Sequence, residues 1–334
     1  MEKTKLDILY ETPTFFQKVI IYSNYELRML LWRFLDLIDC TKSKSTKSFL
    51  LNKCSKEQWD ENGFLHLKSF FSEEYIDEIN ASIDKSREVF ESNRKVKNLK
   101  CGRIANIHAS NRDVFKLLND PNLREVQKQL LDGDPILWGS LTFKVGSQQL
   151  AHADAPWFYV EPYGSMIGIW IALEDIKPEA GPLFYIPKSH LDQLKVKDVL
   201  DKNVQLKEKV ENFRLLNVSA SSRQYWDLSK SVGDVYAKEW ESVDGAVTVC
   251  PKKGDVFVWH QWLIHGGSPI TNPALSRNSI VSHWVSDACS AFDQHNFFLN
   301  YDRLNSEFKQ NLQIKKSRRG KFLRQYRTQV LGWD

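Results

Sequence analysis

From Ile136 to Val285 the chain changes character: helical periodicity fades, and short β-rich runs broken by Gly and Pro take over. Leu137–Val145, His152–Asp154, Ile167–Leu173, Leu183–Ile186, Ala246–Val249, Asp255–Trp259 and Arg277–Val285 carry the branched and aromatic residues expected of strands. Short strands joined by turn residues fold as a sandwich or a barrel, because each must bury a face against another. One stretch interrupts them. Residues 191–244 are charged and helix-like, and an insertion of this length is too long for a plain turn and suits a lid or binding loop.

The flanks are helical in pattern. Glu26–Ile38 shows a broad apolar surface, and Thr41–Thr46 is a polar linker, so residues 1–46 read as an added N-terminal arm. Residues 55–72 predict a short helix, a stop at Gly63 and a strand. Ser72 then caps a helix running to about Ser92. A single helix is expected from Asp113 to Leu131, ended by Asp132-Gly-Asp-Pro135. Residues 47–290 form the main domain around the 191–244 insertion, and 291–334 a helical tail that is basic over 315–327.

Composition narrows the class. With 334 residues and 42% hydrophobic content the chain can bury a sizeable core, while no apolar run approaches the about 18 residues that span a bilayer. The first twenty residues lack the unbroken apolar core of a secretory signal. Cys40, Cys54, Cys101, Cys250 and Cys289 are scattered and never in C-x-x-C spacing, which predicts reduced thiols and a cytoplasmic protein. A net charge of +4 does not suggest a polyanion partner. The basic tail could touch nucleic acid or anionic lipid, although a solvated end is the simpler reading. The arm offers a second route to peripheral membrane contact.

The chemistry starts at His152-Ala-Asp154. Residues i and i+2 of a strand share a face, so an imidazole and a carboxylate converge on one point there. Alone such a pair arises by chance in many chains. Gly254–Gly267 adds a strand running into a glycine corner with His265 at its end. His260 competes for the same role, but its parity differs and it lies before the corner. Two histidines and a carboxylate make the facial triad of a non-haem Fe(II) oxygenase, which leaves adjacent coordination positions open for cosubstrate and O₂. Arg277, twelve residues after His265, opens a returning strand, where a guanidinium can grip the distal carboxylate of a dicarboxylic acid such as 2-oxoglutarate. Ser279, on the same face, could add a hydroxyl. His66 and His108 have no partner at ligand spacing.

Taken in order, His152-x-Asp154, Gly181-Pro-Leu-Phe-Tyr-Ile-Pro-Lys-Ser-His190, Gly254-Asp255, His265-Gly-Gly and Arg277 resemble the phytanoyl-CoA dioxygenase family of Fe(II)- and 2-oxoglutarate-dependent oxygenases, over residues 55–285. The resemblance implies a mainly β fold with flanking α-helices around a double-stranded β-helix core of jelly-roll or cupin-like form. It implies His152, Asp154 and His265 as Fe(II) ligands, Arg277 as the 2-oxoglutarate anchor, and Trp170 and Gln149 beside the cosubstrate. O₂ completes the set, with ascorbate as a supporting reductant. The activity implied is hydroxylation of an aliphatic C–H in a small-molecule, lipid, acyl or sugar-type substrate, with succinate and CO₂ as coproducts. Trp157, Phe158, Tyr159 and Trp262 would line the substrate mouth. His190, in a structural turn of the family, is not expected to be a ligand.

Two details refine this expectation. Many relatives carry Ser or Thr where this chain has Gly267, so Ser279 and Ser268 are the candidates for that contact. Halogenases of the wider group replace the carboxylate with Ala or Gly, so Asp154 favours hydroxylation. The competing readings are a zinc-dependent hydrolase using the same three residues, a non-catalytic β-sandwich binding module, and a nucleic-acid demethylase prompted by the basic tail.

Overall fold

A computed structural model describes residues 50–91, 102–216, 223–292, 294–302, 314–317 and 320–323. The expected arm, 1–46, lies outside the described residues.

Helix α1 (Lys53–Asn62) begins at Asn52, whose side chain accepts from the Ser55 N–H at 2.8 Å, and stops at Gly63. Gly63 takes φ +75°, a left-handed turn that glycine enters without a Cβ clash, and its N–H closes on the Trp59 carbonyl. Strand β1 (Phe64–Leu67) follows. Ser72 caps α2 (Glu73–Glu91) by accepting from the Tyr75 N–H, with Glu73 and Glu74 in the first turn. After β2 (Ile104–Ala105), the single helix expected over 113–131 is two, α3 (Arg112–Leu118) and α4 (Pro121–Leu131). Asp120-Pro121 is the cause. Proline has no N–H with which to continue α3, and the Asp120 carboxylate accepts from the Asn122 and Leu123 N–H groups to start a new helix.

The middle of the chain supplies β3 (Pro135–Phe143), β4 (Val160–Glu161), β5 (Met166–Ala172) and β6 (Leu183–Tyr185). The insertion folds as α5 (Val196–Asp201), α6 (Val204–Leu215) and α7 (Arg223–Glu239). Then come β7 (Val247–Val249), β8 (Val256–His260), β9 (His265–Gly267), β10 (Ser279–Ser286), β11 (Ser290–Ala291) and α8 (Gln294–Leu299). Two strands, β12 (Ile314–Ser317) and β13 (Gly320–Leu323), close the described chain. They correct the expectation of a helical basic tail: they pair antiparallel, and Phe322 pairs in parallel with Leu137 of β3. Gly320 disfavours a helix interior by about 1 kcal/mol and suits a strand corner.

The larger sheet has eight strands, ordered β1-β8-β5-β10-β3-β13-β12 with β2 also on β3, and a smaller one runs β7-β6-β9. Alternation along β5 assigns its two faces. Ile167, Ile169 and Ile171 join Val256, Val258 and Ile280 against Ile76, Ile79, Val114 and Val126 of the outer helices. Trp170 and Ala172 turn the other way, with Phe257 and Trp259, toward Leu183 and Tyr185 of the smaller sheet. Each fully buried isoleucine contributes about 1.5–3 kcal/mol. Two facing sheets with helices outside make the expected double-stranded β-helix. The insertion packs elsewhere: Val199, Val210, Val232 and Tyr236 form a separate core with Ala153, Ala155 and Trp262. No helix among the described residues is long and apolar enough to cross a membrane.

Candidate metal centre

His152 and His265 face each other across an antiparallel bridge, each backbone N–H donating to the other's carbonyl, at 3.0 and 2.9 Å. Residues opposed in this way project to one face, and the two rings meet with centroids 4.4 Å apart. Asp154, two residues on, joins them. Its Oδ1 lies 3.7 Å from His152 Nε2 and 3.8 Å from His265 Nε2. One donor atom from each of the three residues lies within 4.8 Å of the others, so the set can hold a metal ion.

The protons are placed to suit a cation. His152 Nδ1 donates to the Leu150 carbonyl at 2.8 Å, and His265 Nδ1 to the Leu263 carbonyl at 2.9 Å. A carbonyl can only accept, so each ring carries its proton on Nδ1 and aims the Nε2 lone pair at the shared point. Burial, and then the charge of His265, pushes the His152 pKa down to about 4 against the pull of Asp154. For Asp154 burial acts upward, but His265, His283 with its hydrogen bond, and His152 outweigh it and hold the carboxyl below the usual range. A His152 ring held neutral beside an ionised carboxylate suits a divalent metal.

The three residues line a cavity of about 700 Å³. Strand β10 spans it: Arg277 lies just before the strand, and His283 follows six residues later on the same face, about 20 Å along an extended chain. The Arg277 end is rich in donors. Arg277 is 3% exposed, and its guanidinium donates through Nη1 to the Gly181 carbonyl at 3.0 Å and lies 5.6 Å from the Phe143 ring centroid. Trp170 lines the cavity from the inner face of β5, and its buried Nε1–H has no hydrogen-bond partner among the described residues. Gln149 donates its amide to His152 Nε2 at 2.9 Å. The His283 end is aromatic: His283 stacks on Phe158 at 4.2 Å, and Phe158 meets Trp138 edge-on at 5.5 Å.

Other expected residues lie elsewhere. Ser279 is fully buried, does not line the cavity, and donates to the Arg277 carbonyl at 3.5 Å. Ser147 stands where a residue-267 side chain would project: a Cβ at Gly267 would lie 2.8 Å from Ser147 Oγ. His260 is separate from the metal cluster, among Trp59, Tyr163 and His190, and burial with His190 pushes its pKa down to about 3. His66 bonds Asp255 at 2.9 Å and His108 the Ser140 hydroxyl at 2.6 Å, neither lining the cavity. Of the expected mouth, Trp157 and Phe158 line the cavity. Tyr159 and Trp262 instead pack on Phe297, because residues 154–160 turn rather than extend and send neighbouring aromatics apart.

Among the lining residues that escaped the sequence reading are Arg103, Trp138, Ser147, Trp259 and His283. His283 had a signal in its even spacing from Arg277, which Val281 shares. From the insertion, Trp226 and Ala237 of α7 reach the cavity.

Comparison with known proteins bears on this geometry. A family model described as phytanoyl-CoA dioxygenase matches residues 59–279. The phytanoyl-CoA dioxygenase domain-containing protein 1 of Danio rerio is 33% identical over 90 residues, covering 26% of this chain and 31% of the relative. That of Bos taurus is 49% identical over 45 residues, 14% of this chain and 16% of the relative. These matches span less than a third of the curated relatives' length. Among solved structures, SnoK, a non-haem alpha-ketoglutarate-dependent carbocyclase from nogalamycin biosynthesis, superposes with a TM-score of 0.54 at 17% identity, covering 79% of this chain and 94% of its own. EctD from S. alaskensis, solved with 2-oxoglutarate and 5-hydroxyectoine, gives 0.51 at 17% identity, covering 75% and 81%. At these identities the structural likeness speaks to the fold. The family model covers most of the chain, and the chain belongs to the phytanoyl-CoA dioxygenase family.

Proposed function

We propose that the chain is an Fe(II)- and 2-oxoglutarate-dependent dioxygenase that hydroxylates an aliphatic C–H of a small-molecule, lipid, acyl or sugar-type substrate. The observation that carries this reading is one cavity lined by both the His152, Asp154, His265 cluster and the buried Arg277 guanidinium. The residues fit both groups. Two imidazoles and a carboxylate suit Fe(II). Arg277, the Ser147 hydroxyl and the Trp170 N–H, which has no partner among the described residues, suit a dianionic acid, and Asp154 is the one acidic residue among those lining the cavity. A zinc hydrolase would have no use for those donors.

Iron and 2-oxoglutarate, when bound, supply O₂ activation coupled to decarboxylation of the cosubstrate to succinate and CO₂. The protein contributes position. His152, Asp154 and His265 would hold the metal, and Arg277, with Ser147 beside it, would bind the distal carboxylate of the cosubstrate. Trp138, Trp157, Phe158 and Phe292 wall the substrate space with apolar surface that excludes water. Arg103, the remaining charged lining residue, favours a substrate with an acidic group.

In this reading residues 47–290 are one catalytic domain, the insertion shapes the substrate end through Trp226, and 1–46 and 291–334 are additions to it. Cys54, Cys250 and Cys289 are unpaired thiols, which suits the cytoplasm. The arm and basic tail are the candidate contacts with a membrane surface, and no nucleic-acid partner is expected.

Purified protein supplied with Fe(II), ascorbate and 2-oxoglutarate should release succinate slowly even without substrate. His152→Ala and Asp154→Ala should each abolish that release. Unchanged turnover in both variants would overturn the proposal.

A further inference from the structure

We propose that Trp259 is a positioning residue that fixes Asp154 as a one-oxygen ligand, so that the metal keeps its remaining coordination positions for reactants. The inference rests on the metal site proposed above and concerns how its carboxylate is aimed.

The two oxygens of Asp154 are held differently. Oδ1 faces the Nε2 atoms of His152 and His265. Oδ2 accepts the indole Nε1–H of Trp259 at 2.8 Å, in a fully buried bond, and lies 3.4 Å from His283 Nε2. Carboxylates bind cations through one oxygen or two, and the second mode takes up a position that a reactant would otherwise use. An indole N–H is a donor with no acceptor capacity, so Trp259 can sit at Oδ2 only by engaging it. The same ring packs on His265, with centroids 4.7 Å apart. One side chain therefore braces two of the three ligands.

A glycine makes room for this ring. Gly168 on β5 is the register partner of Trp259 on β8. A Cβ at Gly168 would lie 2.1 Å from Trp259 Cε2 and 2.5 Å from Nε1. No side chain at 168 is compatible with the indole in this place. Glycine weakens a buried strand, and here it sits between Ile167 and Ile169 in the middle of the sheet. The space it leaves is what the indole fills.

The test uses Mn(II) alone as the probe, with affinity followed by electron paramagnetic resonance of the metal on the full chain. Trp259→Phe keeps an aromatic ring and removes the N–H. Its Mn(II) affinity should fall by about 10- to 100-fold, the usual range for a lost outer partner of a metal ligand. The spectrum of the bound ion should change as the carboxylate turns. Gly168→Ala should reproduce both effects by displacing the indole. Trp284→Phe is the control, since it removes another buried indole N–H, bonded to Ser282 Oγ at 2.9 Å, on the opposite face of the same sheet. Its melting temperature should drop while Mn(II) affinity and spectrum stay as in the wild type. Wild-type affinity and spectrum in Trp259→Phe would overturn the inference, as would an equal loss in Trp284→Phe. Wild-type protein that binds no Mn(II) would overturn the metal site itself, and the inference with it.

Discussion

Arg277→Lys keeps a positive charge in the cavity and removes the planar fork. In the wild type Arg277 is 3% exposed, its guanidinium anchored by Nη1 on the Gly181 carbonyl at 3.0 Å, with the Phe143 ring 5.6 Å away. A group anchored in this way presents fixed N–H donors to a carboxylate, and each charge-assisted bond is worth about 1.5–3 kcal/mol. A lysine ammonium has to divide its donors between Gly181 and the cosubstrate without the fork geometry, so one of the two bonds is lost. The expected cost is about 1.5–3 kcal/mol, or about 10- to 150-fold in 2-oxoglutarate affinity. Titration calorimetry of 2-oxoglutarate into the Mn(II)-loaded protein reads that loss directly. In succinate release it should fall on KM more than on kcat, because the grip on a distal carboxylate is the same before and during the reaction. Metal affinity should hold, since Arg277 is not one of the clustered donors. Unchanged 2-oxoglutarate affinity in both Arg277→Lys and Arg277→Leu would refute the assignment of Arg277 as anchor.

Two further outcomes follow from groups outside the metal cluster. His108 is buried, its Nδ1 2.6 Å from the Ser140 hydroxyl, and burial pushes its pKa from 6.5 down to about 4. The unfolded chain takes up that proton at the higher pH, so the contribution is complete above pH 6.5 and is lost as pH falls toward 4. The loss is on the order of 3 kcal/mol. Urea denaturation of the metal-free protein at stepped pH should show it, and a His108→Gln variant should have a flatter profile. Asn111 is 2% exposed and ties α3 to α2: its Oδ1 accepts from the Val114 N–H at 2.9 Å, and its Nδ2 donates to the Ser82 carbonyl at 3.0 Å and to the Ser86 hydroxyl at 2.9 Å. Asn111→Ala should cost about 2–4 kcal/mol by loss of the cap and of the buried bonds, read as a lowered urea midpoint, and leave 2-oxoglutarate affinity unchanged.

How much of this was legible in the sequence depends on whether a feature needs one segment or two. The strands were legible because runs such as Ile167–Leu173 announce themselves by their own composition, and β5 falls within a residue of that expectation. His152 and Asp154 converge as their i, i+2 spacing predicts, but His152 makes only an isolated bridge where a strand was expected, and Gly266 and Gly267 lie within β9 beside His265, the turn falling at 261–264. Arg277 and His283 obey the same rule, and His283 could have been found by continuing the alternation through Ser279 and Val281. Opposite His283 it is β3 that carries the extra residue, Trp138, where its register with β10 shifts, while β10 keeps an unbroken pairing with β5. The break at Asp120-Pro121 was also written in the sequence, since a proline behind a capping aspartate starts a helix as readily as it ends one. Contacts are a different matter. Ser279 has the right face but is covered, whereas Ser147 reaches the cavity because its loop packs against Gly267, and no alternation within either segment reports that approach. The bond from Trp259 to Asp154 requires β8 to meet β5 in the one register that sets the indole over Gly168. Registers are chosen by the whole set of buried faces acting together. The candidate metal donors could therefore be read from local spacing, while the contact of Trp259 with Asp154 could be read only from the paired sheet.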